Sequence, residues 1–178
     1  MLSLGVIAIV AVGAIGATRA YFSDTETISG NTFTSGTLAL KIDQNPNPAI
    51  QWWTDGFTNP YNPFANVKPG DGDQQVLDIK NSGTVNGNAT IKFDVTSWSA
   101  LADNLNFTVY YDALNNGSYS TAIASGTLAA WNHNTYTLGA LPAGQIASVK
   151  IVWSVPTTAG NDIQGTSVTL DTTLGLTQ

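Results

Sequence analysis

The chain has 178 residues and a formal net charge of −6, a length typical of one domain. Five lysines and one arginine provide no basic surface for nucleic acid, and the absence of cysteine excludes disulfides, thiolate zinc sites and thiol catalysis. The 23 threonines and 16 asparagines favour strands and turns over helix interiors. Composition therefore predicts an acidic all-β protein.

Residues 1–20 form a signal-peptide-like apolar segment. Leu2 to Ala17 contains no charge, and its length of about 16 residues is near that of a signal peptide and below the ~20 that span a bilayer. Small residues before Tyr21 resemble a cleavage site, although the β-branched residues of the segment also suit a retained, buried strand. We expect export to the cell surface or beyond by this N-terminal signal, and no stable membrane span.

Residues 21–31 come before the first clear strand and are polar and mostly extended. Tyr21, Phe22 and Ile28 are their candidate apolar anchors. Such a segment can add as a strand to the open sheet edge of another copy. The alternative is a frayed N-terminus.

Residues 32–178 show the period-two alternation of half-buried strands, interrupted by turn clusters. The clearest runs are Leu38–Ile42, Leu77–Ile79, Ala89–Val95, Leu105–Tyr111, Thr121–Leu128, Thr135–Leu138, Ile151–Val155 and Val168–Leu174. A helical pattern is visible only near Trp98–Leu105. This many short strands predict a jelly-roll-like β-sandwich.

A loop at residues 44–72 is rich in proline and aromatic residues, and we expect structure there because so many aromatics would not be left in water. Trp52, Trp53 and Phe57 favour packing in the core or between subunits. A sugar-stacking platform is the alternative, but adjacent strand residues face opposite ways, so only one tryptophan would join it.

Several motifs resemble the TasA/camelysin family in their order and spacing. They are Ala20–Glu26 with Gly30–Leu38, Val67–Asp71, Lys80–Gly83 and Asn161–Ser167. The family, with archaeal bundling pilins as relatives, implies secreted jelly-roll subunits that polymerise into biofilm matrix fibres by donor-strand complementation. In that mechanism the N-terminal strand of one subunit completes the sheet of the next.

Residues for catalysis are scarce. His133 is the one histidine and Glu26 the one glutamate, whereas a zinc hydrolase needs about three protein ligands and a base. We therefore predict that the chain is not an enzyme and that His133 is a surface turn residue. Asp71 and Asp73 are weak candidate calcium ligands, since Asp-Gly pairs are more often plain turns; no other cofactor is expected.

Three sequons, at Asn88, Asn106 and Asn116, mark candidate N-glycosylation sites. Asn116 lies in a predicted turn and should be the most accessible, although some sequons arise by chance in so Asn- and Thr-rich a chain. The predicted function is an extracellular, self-assembling fibre subunit that bundles laterally. The alternatives are a carbohydrate-binding surface module and, less favoured, a camelysin-type secreted peptidase.

Overall fold

A computed structural model describes residues 36–44, 51–56 and 64–178. Within them the chain forms nine strands, two short α-helices and one 3-10 helix. In chain order these are β1 Leu40–Asp43, β2 Phe64–Ala65, β3 Gly72–Asn81, β4 Gly87–Ser97, α1 Leu101–Asn104, β5 Asn106–Asp112, β6 Ala122–Thr127, α2 Leu128–Trp131, β7 Thr135–Leu141, β8 Ile146–Ser154, the 3-10 helix Asn161–Ile163 and β9 Ser167–Thr177.

The strands make two antiparallel sheets. The five-stranded sheet has the order β1-β3-β8-β5-β6, and the four-stranded sheet has the order β2-β9-β4-β7. The prediction of an all-β sandwich is confirmed. The jelly-roll connectivity and the N-terminal donor strand remain predictions.

The core lies between the inner faces of the sheets, where alternate residues of each strand are buried. Ile91 and Phe93 of β4 are buried, as are Phe107 and Val109 of β5. The ring centroid of Phe93 lies 5.1 Å from that of Phe107 and 5.3 Å from that of Trp131, which closes α2. Such aromatic contacts add to the apolar burial that holds the sheets together.

A buried asparagine joins two turns at one end of the sandwich. The Asn81 side-chain amide donates to the carbonyls of Val85 and Leu141, at 2.8 and 3.0 Å, and its oxygen accepts from the Gly83 N–H. A Cβ at Gly83 would lie 2.1 Å from the Thr37 carbonyl oxygen, so this position requires glycine. The Lys80–Gly83 motif thus fixes where the chain enters β1.

The Val67–Asp71 motif forms the turn that leads into β3. The Asp71 carboxylate accepts from the Lys68 N–H at 2.8 Å, and the Asp71 N–H donates to the Lys68 carbonyl at 3.0 Å. Gly70 has a φ of +91°, a conformation that glycine adopts without strain. Its N–H donates to the Val155 carbonyl, which fastens this turn to the chain that follows β8.

Candidate functional site

The sheet edges are the candidate sites for assembly, because an edge strand presents unpaired backbone N–H and C=O groups to other chains. In the described residues the outer strands are β1 and β6 of the five-stranded sheet, and β2 and β7 of the four-stranded sheet. Because β2 pairs only with Ser167 and Val168, most of β9 has no neighbouring strand on that side among the described residues.

One long edge belongs to β9. One side of this strand pairs with β4 from Ser97 to Asn88. On its other side, β2 pairs only with Ser167 and Val168. From Asp171 to Thr177, no strand in the described part of the chain pairs with β9 on the side away from β4. We call this stretch the β9 edge.

The inner face of β9 is incompletely covered along this edge. Val168 and Leu170, near the start of the strand, are fully buried. Leu174 and Leu176 lie further along the same face of the strand. They pack against the core but stay partly exposed. Between Leu170 and Leu174, the Thr172 hydroxyl is buried and has no hydrogen-bond partner among the described residues, and an unsatisfied buried hydroxyl is costly. The β9 edge therefore combines apolar surface with backbone that no described strand pairs on that side.

The edge at β1 is closed by the loop that follows it. Ile42 and Thr54 exchange two backbone hydrogen bonds of 2.9 Å. Lys41 Nζ lies 2.6 Å from a carboxylate oxygen of Asp55, and the Trp52 N–H donates to Asp43 at 3.0 Å. This segment occupies the position that an added strand would need.

The edges at β7 and β6 are irregular. The β4–β7 register shifts between Ala89 and Thr90, and the Tyr111 ring packs against Gly139 while its hydroxyl donates to the Ala140 carbonyl at 2.7 Å. The β6 strand is short and has a register shift opposite β5. Bulges and short strands are common protections against edge pairing, so the β9 edge is the best acceptor of the set.

The predicted donor anchors Tyr21, Phe22 and Ile28, and the whole of segments 1–20 and 21–31, lie outside the described residues. Phe57 also lies outside them. The β9 edge itself escaped the sequence analysis, because a strand pattern shows which residues are buried but not which strands lie beside it.

The aromatic residues of loop 44–72 do not share one environment. Phe64 is buried, with its ring centroid 5.4 Å from that of Trp153 and 5.8 Å from that of Phe107. Trp52 is 72% exposed in the single subunit, so it is not part of the core, and its packing between subunits remains a prediction. The Trp53 indole N–H donates to Gln51 at 3.3 Å, and Lys80 Nζ lies 5.7 Å from its ring centroid.

The candidate calcium ligands Asp71 and Asp73 bind backbone N–H groups. Asp71 accepts from Lys68, as described above, and Asp73 accepts from the Gln74 N–H at 2.8 Å. Throughout residues 36–44, 51–56 and 64–178, no three His, Cys, Asp or Glu side chains are grouped so that they could hold a metal ion. The role of Asp71 in closing a turn accounts for its position, and calcium binding remains a prediction.

The three sequons lie in different surroundings. Asn116 is exposed in the loop between β5 and β6, and Asn88 is exposed on β4. Asn106 is partly buried and opens β5, where it lies opposite Thr127 on one side and Ser154 on the other. Asn116 is therefore the acceptor that a glycosyltransferase would reach most easily, and glycosylation remains a prediction.

The one histidine lies on the surface. His133 occupies the turn after α2 with a φ of +63°, and its side chain is 70% exposed. Its Nδ1 atom is 2.6 Å from a carboxylate oxygen of Asp94, whose other oxygen is 2.8 Å from Lys92 Nζ. The hydrogen bond from Lys92, more than that from His133, holds the pKa of Asp94 below its usual value.

A model of the camelysin metallo-endopeptidase family matches residues 1–106, which is more than half of the chain. The chain belongs to the TasA/camelysin family. This is a family of secreted, biofilm-related proteins, whose TasA-like members are generally structural. A comparison with curated proteins gave no significant match. Among the described residues, no helix is both long and apolar enough to cross a bilayer.

The family name implies a metal, but the side chains of residues 36–44, 51–56 and 64–178 do not assemble a catalytic zinc site. Such a site takes three protein ligands and a general base. Here the sequence offers one histidine, one glutamate and no cysteine. His133 already pairs with Asp94, and Glu26 lies outside the described residues. No zinc ligand set can be assembled from histidines in this family member.

Proposed function

We propose that this camelysin-family protein is an extracellular structural subunit that polymerises head to tail by donor-strand complementation into pilus or biofilm matrix fibres. Residues 21–31 of one copy are the donor and the β9 edge of the next copy is the acceptor. The proposal is supported by the β9 edge, which no strand of the described residues pairs on the side away from β4. Because donor and acceptor are different surfaces, the contact is heterologous and propagates as an open filament.

The chemistry of the two segments is complementary. Backbone groups from Asp171 to Thr177 would bond to the donor, which sets affinity without demanding a particular sequence. The apolar anchors Phe22 and Ile28 would cover what is left exposed of Leu174 and Leu176, and this sets the register. The β9 edge carries neither lysine nor proline, the residues that commonly protect an edge from added strands.

The same proposal makes a second copy of the chain the principal partner, with lateral bundling of finished fibres and no nucleic acid. We propose that the subunit is not an enzyme and needs no cofactor for assembly. The peptidase alternative is supported only by the family name, since the available side chains do not fit the metal chemistry that the name implies.

The test uses the full chain and a synthetic peptide of residues 21–31. The peptide should occupy the β9 edge and cap growing filaments, so that electron micrographs show fibres that shorten as the peptide concentration rises. A control peptide in which Phe22 and Ile28 are replaced by aspartate should leave fibre length unchanged. Removal of residues 1–31 should abolish fibres. Native-width fibres from the truncated chain would refute the donor role of these residues.

A further inference from the structure

A cleft of about 250 Å³ lies on the outer face of the five-stranded sheet, away from the β9 edge. Its floor is formed by outward-facing residues of β3 and β8: Val76, Asp78 and Ser148. One wall comes from the loop between β5 and β6 and includes Asn115 and Tyr119. The volume is slightly below the ~300–1,000 Å³ that hold drug-sized ligands, so the cleft suits a ligand about the size of one sugar ring.

The cleft owes its position to a row of polar residues across four neighbouring strands. Asp43 lies opposite Asp78, Asp78 opposite Ser148, and Ser148 opposite Asp112. These residues point away from the core, yet Asp78 is only 7% exposed and Ser148 only 1%. The segment that contains Gln51 and the loop between β5 and β6 cover the row and shield it from water.

The loop wall is held rigidly by one carboxylate. Asp112 accepts hydrogen bonds from the backbone N–H groups of Leu114, Asn116, Gly117 and Ser118, at 2.7 to 3.2 Å. The cleft wall is therefore formed before any ligand arrives, which lowers the entropic cost of binding.

The groups that face the cleft are hydroxyls, amides and one carboxylate. The Tyr119 hydroxyl is 2.6 Å from the Ser148 hydroxyl, and the Asn115 amide donates to Asp78 at 3.2 Å. Lys150 Nζ lies 4.5 Å from the Tyr119 ring centroid and fixes that ring further. Gln51 also lines the cleft. These hydrogen-bond donors and acceptors lie beside the apolar surface of Val76. Together they match a ligand that has several hydroxyl groups and one face of C–H groups.

Other ligand classes fit less well. An anion such as phosphate would meet the Asp78 carboxylate, with Asp43 and Asp112 in the same row. A metal ion would need a closer set of oxygen ligands than the described residues assemble. Burial, more than any other cause, raises the pKa of Asp78, and hydrogen bonds from Asn115 and Ser148 partly offset it.

From this geometry we infer that the cleft is a binding site for a neutral sugar residue, held by hydrogen bonds to Asp78, Asn115, Gln51 and the Tyr119 hydroxyl and by packing on Val76. The site differs from the tryptophan platform considered from sequence, since neither Trp52 nor Trp53 lines it. It goes beyond the fibre function, because it would let an assembled subunit bind neutral polysaccharide.

The test measures binding of methyl glycosides of glucose, galactose, mannose and N-acetylglucosamine to the full chain by saturation-transfer NMR. We expect saturable binding of at least one glycoside. Asp78→Asn, which preserves side-chain volume, and Tyr119→Phe, which removes only the hydroxyl, should each raise its Kd at least tenfold. Asp103→Asn, an exposed aspartate of α1 outside the cleft, is the matched control and should bind like the parent.

Melting curves establish that each variant is folded, and Tyr119→Phe keeps the test decisive if Asp78→Asn unfolds. The absence of saturable binding by all four glycosides would overturn the proposal. Unchanged glycoside binding by folded Asp78→Asn and Tyr119→Phe would also overturn it. Binding of an ethylammonium probe without binding of any glycoside would overturn it too, because it would indicate a cation site. Fibre formation is scored separately in the same samples, so failure of the sugar site and failure of strand exchange are told apart.

Discussion

Replacement of Leu174 by aspartate should block polymerisation and leave a folded subunit. Leu174 lies on the inner face of the β9 edge and is partly exposed. A donor strand that covers it would gain about 1 kcal/mol of the 1.5–3 kcal/mol for a fully buried leucine. In Leu174→Asp that gain is lost, and the donor must desolvate a carboxylate, which costs several kcal/mol. A total of roughly 4 kcal/mol corresponds to about a thousandfold weaker subunit association.

Thr173→Asp is the matched control. Thr173 is the neighbouring residue on the same strand and is exposed on the opposite face, so its new charge stays in water. Exposed charges typically change association by less than about 1 kcal/mol. Light scattering against protein concentration measures the onset of fibres, and circular dichroism checks the fold. If Leu174→Asp polymerises at the same concentration as Thr173→Asp, the donor does not bind at the β9 edge.

Three further outcomes follow from the same structure. Phe22→Asp should lower filament yield more than Asp24→Ala. The parent fibres should persist in molar salt, because salt hardly screens backbone hydrogen bonds and apolar contacts. Fibres that dissolve in salt would instead indicate electrostatic packing. His133→Ala should leave assembly and any casein hydrolysis in the preparation unchanged, whereas a folded variant that loses hydrolysis would support the peptidase alternative. Burial raises the pKa of Asp78 above its ordinary value of 3.8. The folded state therefore binds the proton of the Asp78 carboxyl more tightly than the unfolded state does. The protein loses stability as the pH rises from that ordinary pKa through the pKa of the folded state. Asp78→Asn should therefore flatten this part of the pH profile of the urea midpoint, and identical profiles would contradict the assignment.

The alternation of the sequence predicted most strands because each sheet has one inner face. In β4, for example, Ile91 and Phe93 are buried while Lys92 between them is not, which is the period-two pattern in its simplest form. Helix α2 was missed, since four residues are too few to show a helical period. The sequence left open whether Trp52 packs in the core or between subunits, because it does not show whether a loop folds back over its own aromatic residues.

The candidate sites were harder to predict than the strands for a related reason. The β9 edge depends on which strands pair with β9, and the cleft depends on the register that aligns Asp43, Asp78, Ser148 and Asp112 across four strands. Both depend on which strands pair with one another over long sequence distances, and the local sequence pattern does not show this. The donor segment was predicted mainly from the resemblance to a family.

The way in which Asp112 holds its loop has a consequence for variation and design. Its hydrogen bonds go to backbone N–H groups, which every residue except proline supplies. The exposed side chain of Leu114 can therefore be exchanged without loosening the loop. A polymer of such subunits would be a repetitive display scaffold, on which surface chemistry could diversify from one lineage to another while the strand that joins the subunits stayed the same.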